Sequence, residues 1–251
     1  MKDRSAPADV RLNRILAALP EADRERVQRN LQPVFVVAGK TLYEPGVRLD
    51  YAYFPATTIV ADEYVTADGA SAEVAIVGSE GVVGIALFMG GESRPNRAIV
   101  QASGWAYRLQ RHHLHEEFTR AGALQHLLLL YTQALLTLTA QTAICNRHHT
   151  IDQQLCRWLL LSLDRSSSSV LTTTHEHIAN MLGVRREGVT EAAGKLQRLG
   201  LVRNSRGRIT VDDRGGLETR SCECYRVVKR EYDRLLPDVA TDAAAADGIS
   251  S

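Results

Sequence analysis

The sequence predicts an α+β chain: an N-terminal antiparallel β-roll, a long helix, and a C-terminal winged helix-turn-helix. Three observations carry that reading. Six short β-rich runs lie between residues 34 and 109, a glycine-poor apolar stretch covers 111–147, and a capped helix, a glycine turn and a second helix at 173–199 precede a hairpin signal.

The elements follow in chain order. Val10, Leu12, Ile15, Leu16 and Leu19, then Pro20, Val27 and Leu31, suit one or two short amphipathic helices over 10–31. The runs 34–37, 51–54, 59–65, 72–77, 98–101 and 105–109 are rich in β-branched and aromatic residues. Turn signals at Gly39, Pro45-Gly46, Asp68-Gly69, Gly78 and Gly90-Gly91 separate them, the texture of a small all-β roll.

Over 111–147 one helix is expected. Leu124, Leu128, Tyr131, Leu135, Leu138, Thr142 and Cys145 fall at alternating spacings of four and three, the seam of a coiled coil, and are assigned to a homodimer interface. Leu127, Leu129, Leu130 and Leu136 widen the apolar surface, so the helix is expected to be buried on two sides, by its own roll and by a partner chain. A helix fully buried in a monomer is the alternative. His148-His149-Thr150 then marks a hinge, with Thr150 as N-cap of a helix over 151–164 and a polar loop at 166–169. The expected domains are a sensor roll with its leading helices at 10–110, a dimerisation helix and hinge at 111–149, and a winged helix-turn-helix at 150–236. The Ala-, Asp- and Ser-rich tail 237–251 is expected to be disordered.

Composition bounds the function. The chain has 251 residues, 45% hydrophobic and 24% charged, which suits a folded soluble protein of two modest domains. Its formal net charge is only +1, yet Arg185, Arg186, Lys195, Arg198, Arg203, Arg206 and Arg208 stand against only Glu187 and Glu191 between 185 and 208. That local patch points to nucleic acid. The N-terminus lacks the apolar core of a secretory signal, the four cysteines fit reduced cytoplasmic thiols, and the apolar stretch 124–140 is too interrupted to span a membrane.

Thr173-Thr174-His175-Glu176 fits a capping box at a helix start. Ile178, Met181 and Leu182 turn inward, Gly183 supplies the tight turn, and a second helix over 185–199 buries Val189, Ala192, Ala193 and Leu196. The strands 201–203 and 208–211 around 204–207 form the wing.

The run Ile178-Ala179-Asn180-Met181-Leu182-Gly183-Val184-Arg185-Arg186-Glu187-Gly188-Val189-Thr190 resembles the helix-turn-helix of the Crp/Fnr superfamily, whose recognition helix opens with Arg-Glu-x-Val. The wider order over 10–236 resembles it too: a cyclic-nucleotide-binding-like roll, a dimer helix, a hinge and a winged helix. The resemblance implies a homodimeric transcription regulator that binds an inverted-repeat operator in double-stranded DNA, with RNA polymerase and a small-molecule effector as further partners. Arg186 and Glu187 match the base-reading pair, and their chemistry suits guanine and cytosine edges. Thr174, Arg185, Thr190, Lys195, Arg206 and Arg208 complete the expected DNA contacts, the lysine and wing arginines on phosphates. Arg185 stands where the family often has a small capping residue, and Glu191 where many members carry a second arginine. Gly188 weakens the helix by roughly 1 kcal/mol and is read as permitting close approach to the groove.

In cyclic-nucleotide-binding members a glutamate and an Arg-Ser pair grip the ligand. Ile85 stands at the glutamate position, and Asn96-Arg97 at the Arg-Ser pair, so standard cyclic-nucleotide contacts are absent. Ile85, Arg94, Asn96 and Arg97 mark the expected effector pocket, with Arg94 or Arg97 left to meet an anion. The family's iron–sulfur cysteines near the N-terminus are missing, since no cysteine precedes Cys145. Cys222-Glu223-Cys224 reads as too isolated for zinc, so Cys145, Cys156, Cys222 and Cys224 are expected to be plain thiols. His112, His113 and His115, and His148-His149, have the chemistry to ligate a metal or haem but are read as surface or hydrogen-bonded residues, and no metal or other cofactor is expected.

No enzyme is expected either. A metal-binding barrel enzyme needs histidines on its strands, and residues 34–109 contain none; no catalytic triad or carboxylate pair stands out. A dimeric ligand-binding module acting on a protein partner is the alternative, and it leaves the basic helix without purpose.

Overall fold

The computed structural model describes residues 6, 7, 9–67, 69, 71–166 and 168–236; the tail expectation for 237–251 lies outside them. A 3-10 turn (Val10–Leu12), α1 (Arg14–Ala17) and α2 (Glu21–Gln28) lead into the roll. Asn13 fastens this entry: its buried amide donates to Pro55 O at 2.9 Å and Gly81 O at 2.8 Å, while its oxygen accepts from Leu16 N.

The roll holds β1 (Gln32–Val36), β2 (Thr41–Tyr43), β3 (Tyr51–Pro55), β4 (Ile59–Val65), β5 (Ser71–Val77), α3 (Ala86–Met89), β6 (Arg97–Ala102) and β7 (Gly104–Gln110). They make two antiparallel sheets, β1-β7-β3 and β2-β6-β4-β5. Phe54, Val60, Ala98 and Leu109 are fully enclosed between them. β2, outside the six predicted runs, has only three residues, too few to show alternation in the sequence.

The predicted helix over 111–147 is broken. α4 (Arg111–Thr119) and α5 (Ala123–His148) are separated at 120–122, where Ala121 adopts φ 54°. α5 is long and apolar enough to cross a membrane by length and composition. Its apolar side chains are instead largely occupied within the fold. Leu124, Leu128, Tyr131, Leu135, Leu138 and Cys145 are buried and Thr142 is half-buried, packed against β5 and against α10 (Glu223–Leu235). The Tyr131 and Tyr232 rings meet edge to face at 6.5 Å. The seam assigned to a dimer interface therefore faces the chain's own core, because α10 supplies the apolar surface that a second chain was expected to supply. The large apolar residues of α5 left exposed are Leu129, Leu136 and Ile144, at 51%, 67% and 46%.

α6 (Ile151–Asp164) begins at Thr150, whose hydroxyl accepts from Gln153 N while the Gln153 side chain accepts from Thr150 N, a reciprocal cap. Then come β8 (Val170–Leu171), α7 (His175–Leu182), α8 (Arg186–Arg198), β9 (Val202–Ser205), β10 (Arg208–Val211), α9 (Arg214–Arg220) and α10. The wing has three strands, β8-β10-β9; its edge strand β8 adjoins the stretch expected to be a polar loop. α7 packs on β5 of the roll, and the buried Arg165 at the end of α6 reaches Glu80 of the roll at 2.7 Å.

Candidate nucleic-acid interface

Local sequence builds the interface. Thr174, rather than Thr173, caps α7: its hydroxyl accepts from His177 N at 3.1 Å, which makes His177 the third helical residue and leaves Glu176 out of a capping box. Gly183 closes α7 at φ 65°, a left-handed conformation that strains any side chain, and α8 starts three residues later. Val189, Ala192, Ala193 and Leu196 turn inward as expected. Gly188 also faces inward: a Cβ there would meet Ile151 Cδ1 at 2.7 Å, so this glycine serves the packing of α8 on α6, not approach to a groove.

The outer face of α8 presents Arg185, Arg186, Glu187 and Thr190, all exposed. Arg186 reaches Glu176 only at 3.8 Å, with both side chains over 60% in solvent, a pair worth little and easily exchanged. Thr190 is oriented by Arg186 O at 3.0 Å and His175 Nδ1 at 3.2 Å. A crevice of about 350 Å³ runs between α8 and the wing and is lined by Thr174, His175, Arg186, Arg206 and Arg208. Arg185, Arg206 and Arg208 make no salt bridge among the described residues. The structure thus brings Thr174, Arg186, Arg206 and Arg208 together.

Lys195 sits elsewhere. Its ammonium is bound by Asp152 of α6, so a phosphate would have to displace a carboxylate. On the wing, Arg203 holds Asp212 through two hydrogen bonds, at 2.8 and 2.9 Å, which keep its guanidinium more firmly protonated and hold the Asp212 carboxyl below its usual range. Behind the interface, burial lowers the His177 imidazole against the raising effect of Glu63.

The expected effector pocket is already neutralised from within. Arg94 is ion-paired with Asp62, donates to Asn96 Oδ1 at 2.9 Å and lies 6.0 Å from the centre of the Tyr43 ring. Arg97 pairs with the buried Glu63 at 2.8 Å. Burial raises the Asp62 carboxyl, and Arg94 opposes that shift. Ile85 caps α3, half-buried. Neither arginine is left to meet an anion, because β4 pairs with β6 in a register that sets Asp62 opposite Ala98 and Glu63 opposite Arg97.

The cysteines correct a second expectation. Cys222-Glu223-Cys224 is not isolated: Cys145 and His149 at the end of α5 meet it, while Cys156 stands apart on α6.

Residues 153–220 match the model of the Crp-like helix-turn-helix domain. No curated protein is similar enough in sequence to match. Among solved structures, a Crp/Fnr-family transcriptional regulator from Eubacterium rectale superposes with TM-score 0.65 at 17% identity, covering 84% of this chain and 98% of that one. One from Thermus thermophilus gives 0.60 at 24% over 76% and 98%, and FixK2 from Bradyrhizobium japonicum 0.63 at 17% over 76% and 98%. Residues 153–220 are therefore a Crp-like helix-turn-helix domain, and the chain as a whole has the fold of these regulators.

Proposed function

We propose that the protein is a cytoplasmic transcription regulator that binds inverted-repeat DNA as a homodimer and answers to a signal other than a cyclic nucleotide held by the standard contacts. The exposed Arg186, Glu187 and Thr190 face, flanked across one crevice by Arg206 and Arg208, carries the reading. A guanidinium and a carboxylate one residue apart suit the edges of a G·C pair, and the wing arginines suit the flanking phosphates. The homodimer is supported by the exposed ridge Leu129, Leu136 and Ile144 on α5, apolar surface with no cover in a single chain. Two-fold symmetry then sets the half-sites about 34 Å apart. The engagement of Arg94 with Asp62 and of Arg97 with Glu63 argues against a cyclic phosphate in the roll.

The test is a quantitative gel shift on a randomised half-site library. Arg186→Ala lowers affinity for the selected site by about 1–3 kcal/mol and flattens preference at one base pair, while Arg208→Ala weakens all sequences alike. Unchanged base preference in Arg186→Ala would refute the assignment.

A further inference from the structure

Four side chains that no DNA contact uses converge at the hinge. Cys145 and His149 end α5, one turn apart; Cys222 caps α10 and Cys224 lies in its first turn. The three sulfurs and the His149 nitrogen lie within 4.8 Å of one another, with Cys145 Sγ to Cys222 Sγ at 3.5 Å and Cys224 Sγ to His149 Nδ1 at 3.6 Å. Three of the four residues are buried and the fourth is half-buried. A tetrahedral ion with metal–sulfur bonds of ~2.3 Å and metal–nitrogen bonds of ~2.0 Å sets its ligand atoms roughly 3.5–3.8 Å apart, the scale seen here.

We infer that Cys145, His149, Cys222 and Cys224 form a structural zinc site that clamps the start of α10 to the end of α5. The surroundings fit that ion. Glu223 Oε1 lies 3.3 Å from His149 Nε2, placed to accept a hydrogen bond from the distal ring N–H, which leaves Nδ1, the atom facing Cys224, as the free ligand. The His149 backbone is held by Gln154 Nε2, which donates to its carbonyl at 2.9 Å. Three thiolates and a divalent ion carry a net negative charge, and the buried Arg157 guanidinium, bonded to Thr142 Oγ1 at 2.6 Å beside Cys145, offsets it. α10 directs its positive N-terminal end at Cys222 and Cys224, and α5 its negative C-terminal end at the cation. A thiolate-rich set excludes magnesium and calcium, and four protein ligands leave no open position for catalysis. Cys145, Cys222 and Cys224 form a small buried cluster apart from the main apolar core.

The test measures metal in the full chain without DNA, so its outcome is independent of the operator reading. Protein purified without added metal, analysed by elemental mass spectrometry, should carry one zinc per chain. Reduced, metal-free protein titrated with cobalt(II) should show stoichiometric uptake with the absorption of a tetrahedral thiolate complex. Cys224→Ser and His149→Ala should lose stoichiometric uptake, Glu223→Gln should weaken it by about 10–100-fold, and Cys156→Ser, which lies outside the cluster, should retain it. Removing zinc should lower the melting temperature by roughly 10 °C. Failure of the wild-type chain to bind cobalt stoichiometrically would overturn the proposal. So would a Cys145–Cys222 disulfide in metal-free protein as isolated, or a Cys156→Ser variant as defective as Cys224→Ser.

Discussion

Replacing Glu73 by glutamine should make the protein more stable at pH 8 and change it little at pH 4.5. Glu73 lies on β5 where the roll meets α5, α6 and α7, and it is enclosed by Leu138, Arg157, Trp158, Leu161, Met181 and Leu182. Burial pushes its carboxyl up to about 8; Arg157 and Arg165 pull it down and Glu63 pushes it up. In the unfolded chain the same group titrates near 4.5. Between those values the folded state binds the extra proton, so stability is full below pH 4.5, falls by about 1.4 kcal/mol per pH unit as pH rises, and levels off above 8. The whole interval is worth up to about 5 kcal/mol, or roughly 10–20 °C in melting temperature for a chain of this size. His177, lowered by burial, acts in the opposite sense: its contribution is present above its unfolded value and fades as pH falls. Because both proteins contain His177, the difference between them isolates Glu73. Thermal melts of wild type and Glu73→Gln at pH 5, 6.5 and 8 measure it. The two curves should diverge steadily with rising pH, and parallel curves over that range would refute the burial argument.

Three other outcomes follow from the structure. Arg165→Met leaves Glu80 buried and without its guanidinium, and should cost about 3–5 kcal/mol in urea unfolding, whereas the double variant with Glu80→Gln should recover most of it. Leu136→Glu, on the exposed ridge of α5, should give a folded monomer in sedimentation, while Leu128→Glu, aimed into the core, should fail to fold. Lys195→Ala should change the salt dependence of DNA binding less than Arg208→Ala, which should lower the slope by about one unit, because Asp152 already occupies the lysine.

The helix-turn-helix was legible because its signals are local. A threonine cap, inward residues at helical spacing, a turn glycine and a hairpin around 204–207 each act over a few positions, and even the error at Thr173 was a shift of one residue between two adjacent threonines. The roll was legible for the same reason, apart from the three-residue β2. What was missed depends on pairing across long stretches. The heptad seam of α5 correctly marked a buried stripe, but periodicity does not say what buries it, and α10 lies some ninety residues further on. Cys145 and Cys222 are 77 residues apart, so neither half of their cluster carries a ligand motif by itself. Arg94 and Arg97 looked available because Asp62 and Glu63 reach them only once β4 and β6 pair.

That pattern also locates where the molecule yields. The roll is closed by apolar packing and by internally matched charges, so a rearrangement there would expose Asp62 and Glu63 along with the core. The junction between the roll and the DNA-binding helices is of another kind. It is carried by α6, on which Gln154 Oε1, Arg157 Nε and Ser162 Oγ are buried with no hydrogen-bond partner among the described residues. Each such atom forfeits about 1–3 kcal/mol that water would restore on opening. Glu73, enclosed in the same seam, adds a cost that grows with pH. A movement of α6 to α8 away from β5 would let water reach these atoms, and it would also have to break the buried Arg165–Glu80 pair and the Arg157–Thr142 bond. Stabilising this seam by Glu73→Gln should slow exchange of the α6 and α7 amides with solvent at pH 8 and leave those of β7 unchanged.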